Sequence, residues 1–99
     1  MLNLDNFINN YVEIVVFGKH IKVKEPTLAM FLEIDKIEKD LTIENLHEKR
    51  LEVGLLMINH NADGERFTKD QLLQLPFEAL NEFIEMVANM RYTADNNPN

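Results

Sequence analysis

Between Lys24 and Leu28 the spacing of apolar residues changes from two to three or four. Upstream, Val12, Ile14 and Val16 fall on one face of an extended segment, and Tyr11, Glu13, Val15 and Phe17 on the other. β-Branched residues dominate, which suits a pleated surface. Gly18-Lys19-His20 is the expected turn, and Ile21 and Val23 point inward again on the return strand. Two strands alone are marginal in water, so this hairpin needs other elements to cover one face.

Downstream the pattern is helical. Pro26 suits a first helical position, where its missing N–H costs nothing, and the spacing predicts a helix over 26–39. Its apolar residues, Leu28, Phe31, Leu32, Ile34 and Ile37, make a broad stripe. Thr42 is an expected N-cap for a helix over 43–58. There Leu46, Val53, Leu56 and Met57 form one side, widened by Ile43, Leu51, Leu55 and Ile58. A stripe this wide means a helix buried on two sides, or one that borrows cover from a partner. Thr68 and Gln71 match a capping box for a short helix over 69–75. A last helix over 77–91 has Leu80, Phe83, Ile84 and Val87 as its inner seam. The expected fold is therefore α+β, an N-terminal β-hairpin packed on a small, mainly α-helical bundle. A single domain spans 11–91, with a loosely packed arm at 1–10 and a disordered polar tail at 92–99.

Composition removes several classes of function. The net charge of −7 repels phosphates and argues against nucleic acid as partner. No cysteine is present, which excludes disulfides, thiol catalysis and thiolate metal sites, and no serine is present to act as a nucleophile. The three glycines, Gly18, Gly54 and Gly64, build no phosphate-cradling loop. Neither a membrane span nor a signal peptide is legible, so the expectation is a soluble protein in a cytoplasm-like compartment.

One stretch, NHNADGERFTKD, has the oxygen spacing of a calcium loop. Asn59, Asn61, Asp63, Glu65 and Asp70 stand at positions one, three, five, seven and twelve, with Gly64 at six. Against it, Asn59 brings no charge, Asp70 reaches less far than the usual glutamate, and Arg66 holds a normally apolar position. No second loop exists to pair with it. Asn, Asp and Gly also form ordinary turns. On that reading the stretch stops one helix near Asn59, turns at Asp63-Gly64 and restarts at Thr68. His20, His47 and His60 lie in three different elements without metal-pair spacing. The many carboxylates, including Glu44, Glu48 and Glu52 at four-residue steps, alternate with apolar seams and read as solvated or partner-facing helix faces. A non-enzymatic protein without a cofactor is expected.

Protein contact is the remaining class. Gly54, inside an apolar helix, either admits the close approach of another helix or is tolerated in a packed core. Leu55, Ile58, Phe77, Phe83, Met86 and Met90 are the candidate partner-binding residues, since methionine beside aromatics adapts to irregular partners.

The order of elements carries a resemblance. The hairpin VEIVVFGKHIKV leads into EPTLAMFLEIDKIEKD, then apolar helices, then LPFEALNEFIEMV. With Gly18-Lys19-His20-Ile21-Lys22-Val23 at the strand turn, residues 11–91 resemble the small tail assembly chaperones of long-tailed bacteriophages. The resemblance implies a chaperone that binds the tape measure protein and keeps it soluble. It also implies recruitment of the tail tube protein, and in many members a longer frameshifted form. Self-association is a further expectation, since a broad apolar stripe is met by a second copy as readily as by a client. A small acidic adaptor or regulatory domain and a single-loop calcium binder are the alternatives.

Overall fold

The structure is a computed structural model that describes residues 1–90; the tail at 92–99 lies outside the described residues. The elements run α1 (Asp5–Ile8), β1 (Tyr11–Val16), β2 (Lys19–Lys24), α2 (Leu28–Glu38), α3 (Leu46–Ile58), α4 (Lys69–Leu72) and α5 (Phe77–Ala88). The fold is α+β, a hairpin followed by helices, as the change of period predicts. The N-terminal arm contains the one-turn α1, which buries none of its own residues.

β1 and β2 pair antiparallel, with Val16 opposite Lys19 and Tyr11 opposite Lys24. The turn is shorter than the sequence suggests. Only Phe17 and Gly18 lie between the strands, both at positive φ (51° and 78°). That is the type I′ pattern, whose twist matches the strands it joins. The expected faces hold: Val16, Ile21 and Val23 are buried, and Val12 and Ile14 pack against the same core.

The helix starts differ from expectation. Pro26 sits before α2; Thr27 is the N-cap, its hydroxyl accepting from the Met30 amide at 3.1 Å. Thr42 caps a turn rather than the helix. Its hydroxyl accepts from the Asn45 amide while Asn45 Oδ1 accepts from the Thr42 amide, and α3 begins one residue later. The capping box of Thr68 and Gln71 is present in both halves, but α4 lasts a single turn before Pro76 caps α5. α5 ends at Ala88, short of the expected boundary.

α3 is the central helix and touches α2, α4 and α5. Leu51, Val53, Gly54, Met57 and Ile58 are buried along it. At Gly54 an added Cβ would stand 2.5 Å from Leu80 Cδ1, so the absent side chain leaves the room that the buried Leu80 of α5 fills. Arg50 ties three helices together. Its guanidinium donates to Asn81 Oδ1 at 2.7 Å and to Glu38 Oε2 at 3.2 Å, and pairs with Glu85 Oε1 at 3.5 Å.

Candidate functional site

The calcium-like stretch is built as a structural loop. Asn59 Oδ1 accepts from the Phe67 amide at 2.7 Å, and Asn59 Nδ2 donates to the Phe67 carbonyl. Asn61 Oδ1 accepts from the amides of Asp63 and Glu65, while its Nδ2 donates to the carbonyls of Ile58 and Glu65. Asp63 accepts from the Lys22 amide at 2.7 Å, and Glu65 pairs with Lys19 at 3.1 Å. Asp70 lies in the first turn of α4. Four of the five candidate ligands thus have side-chain oxygens engaged by backbone amides or by Lys19, which is the turn-forming alternative. Among the described residues no three His, Cys, Asp or Glu side chains are grouped to hold a metal ion.

The same loop extends the sheet. Asn61 bridges Val23, the Lys24 amide donates to the His60 carbonyl, and the Ala62 amide donates to the Lys22 carbonyl. The marginal hairpin therefore gains a short third edge from the segment after α3. Phe67 anchors the loop in the core, its ring 6.4 Å from that of Phe17.

The six candidate partner-binding residues do not form one surface. Ile58, Phe83 and Met86 line a groove of about 270 Å³ between β1 and α5, with Ile58 buried at its floor. Phe77 lies apart, at a groove beside His47, whose ring meets it edge-on at 4.5 Å. Met90 packs against the core. Leu55 lines a different and larger cleft, about 770 Å³, between α2 and α3. The reason is helical geometry. Positions 55 and 58 on α3 are three apart, yet α5 and α4 cover one flank and α2 only part of the other.

That cleft has an apolar floor of Met30, Ile37, Leu55 and Leu56, with Glu33 on one helix and Glu52 on the other. Neither carboxylate makes an ion pair or hydrogen bond among the described residues, in contrast to Glu38, Glu65 and Glu85. At its end Arg66 donates to the Asn59 carbonyl at 3.1 Å. His60 also lines it. Burial, and secondarily the charge of Lys24, hold the His60 imidazole below its ordinary pKa, against the opposing influence of a backbone hydrogen bond with Glu25. The sequence singled out Leu55 and placed the helix carboxylates, Glu52 among them, on solvated or partner-facing faces, but it did not single out Met30 or join the two carboxylates to Leu55 in one cleft. The wide stripe of α3 was the available signal, since it announced apolar surface beyond what one neighbour covers.

No helix among the described residues is long and apolar enough to cross a membrane. Compared with family models, curated proteins and solved structures, the chain matches none of them.

Proposed function

We propose that this chain is a non-enzymatic protein-binding domain, and specifically a tail assembly chaperone acting in the cytoplasm of a phage host. Its client is the long helical tape measure chain, kept soluble while tail tube subunits are recruited. The observation that carries the reading is the cleft between α2 and α3. It is a groove with an apolar floor, and its two carboxylates are unpaired among the described residues. An amphipathic helix laid into such a groove buries its stripe against Leu55 and Leu56, and its flanking cations meet Glu33 and Glu52. Arg50 ties α3 to Glu38 at the C-terminal end of α2, so the two helices that flank the cleft are joined. A small acidic adaptor would use the same cleft for a different helix.

Co-expression separates the two. With a tape measure chain that is insoluble alone, the chaperone reading predicts its recovery in the soluble fraction, and loss of that recovery with Leu56→Asp. Soluble protein that leaves every tape measure chain tested in the pellet contradicts it. A Leu56→Asp protein that rescues as well as the wild type removes the cleft from the mechanism.

A further inference from the structure

Among the described residues, the hairpin has one edge partly covered by the loop after α3 and one open edge. The Glu25 amide donates to the Asn10 carbonyl at 3.0 Å, which sets the alternation of the ladder. Asn10, Val12, Ile14 and Val16 turn their backbone groups toward β2, so Tyr11, Glu13 and Val15 turn theirs away. On the far side of β2 the loop after α3 covers part of the edge: the Lys22 amide donates to Asp63, the Lys22 carbonyl accepts from the Ala62 amide, and the Lys24 amide donates to the His60 carbonyl. On the far side of β1 no backbone group among the described residues meets Tyr11, Glu13 or Val15.

Beside that open edge lies the apolar groove lined by Ile14, Val16, Phe83 and Met86. Val15 is 64% exposed and Met86 44% exposed. An unpaired edge next to an apolar groove is a template for an added strand, with backbone bonds supplying affinity and alternate side chains filling the groove.

Glu13 defines what that strand carries. It sits at the middle of the edge, exposed, directly across from Lys22. Yet Lys22 places its ammonium 5.4 Å from the Tyr11 ring centroid, and Glu13 makes no ion pair among the described residues. Pairing with a second β1 through all three outward residues would set Glu13 against Glu13, which is unfavourable. We infer that the open edge of β1 takes an extended segment of another protein, apolar on both sides of a central lysine or arginine that lies opposite Glu13. This surface shares no lining residue with the cleft between α2 and α3, and the inference stands apart from the chaperone reading.

The probe is a capped seven-residue peptide with valine and isoleucine on both sides of a central lysine, titrated into the intact protein beside its glutamate-centred counterpart. Binding is read by amide exchange and amide chemical shifts. The lysine peptide is expected to slow exchange at Glu13 and Val15 and to shift the residues around Met86. The glutamate peptide is expected to bind about tenfold more weakly or worse. Val15→Pro removes an outward N–H without touching the ladder to β2, so it is expected to keep the fold and lose the peptide. Should that variant fail to fold, Glu13→Lys decides, because it is expected to reverse the preference to the glutamate peptide. Three results overturn the inference: equal binding of both peptides, slowed exchange in α2 and α3 instead of β1, or protection of Glu13 and Val15 that rises with protein concentration without peptide.

Discussion

Gly54 shows how much one atom decides. Alanine in place of an interior helical glycine gains about 1 kcal/mol of helix propensity. Here the new methyl would collide with Leu80, which is buried. Overpacking of this kind costs roughly 1–3 kcal/mol, so Gly54→Ala is expected to lower stability in urea unfolding. In a Leu80→Ala background the methyl enters vacated space, and the same change is expected to raise stability. A cycle of the four proteins checks the reversal of sign. His60 supplies a pH-dependent counterpart. Its folded pKa lies below the ordinary value of 6.5, so the folded state binds its proton less tightly than the unfolded chain. The stabilisation is complete above that ordinary value and is lost as pH falls through it toward the lowered one. Between about pH 7.5 and about pH 5.5, the urea midpoint is expected to fall in the wild type and to fall less in His60→Gln. At this scale the capping box was legible, because it rests on local spacing, while Gly54 was left between two readings, close helix approach or tolerance in a packed core. Phe17 was not legible. Two-residue turns of this type favour Asn, Asp or Gly, and a phenylalanine at φ 51° hides the turn from a reading by residue type.

Between elements, Arg50 is a polar tie shared by three helices. Its side chain is 14% exposed and joins α2, α3 and α5 through Glu38, Asn81 and Glu85. Hydrogen bonds to a charged group contribute more than neutral ones, and Arg50→Ala is expected to cost about 2 kcal/mol in chemical unfolding. Arg50→Lys is expected to recover little of it, since an ammonium cannot reproduce the fork that reaches Asn81 and Glu38 together. The loop after α3 depends in the same way on Asn61, which joins its start to its end. Asn61→Ala is expected to expose the Lys24 and Ala62 amides to faster exchange while α5 stays protected. The sequence made the order of strands and helices legible because their periods differ. It did not make the third edge legible. Oxygens at alternate positions serve ion ligation and backbone capping equally well, and only the neighbouring β2 decides between them.

Across the whole molecule, the division of apolar surface is what sequence could not supply. Leu55 and Ile58 belong to one stripe by spacing, yet α3 turns Ile58 into the core and leaves Leu55 in an open cleft. Which residues stay uncovered depends on how far α2 closes over α3, a property of packing between helices. Among the described residues, the open apolar surfaces include the cleft between α2 and α3, the groove beside β1 and the groove at Phe77. An acidic body with such surfaces is suited to holding aggregation-prone chains. The direct test of the cleft is amide hydrogen exchange on the protein alone and bound to a soluble helical segment of a tape measure chain. The account predicts slowed exchange, on binding, of the half-buried and exposed backbone facing the cleft, at Met30–Ile37 and Glu52–His60, with Glu33→Gln/Glu52→Gln weakening the complex. Unchanged exchange there while the segment is demonstrably bound elsewhere would contradict it.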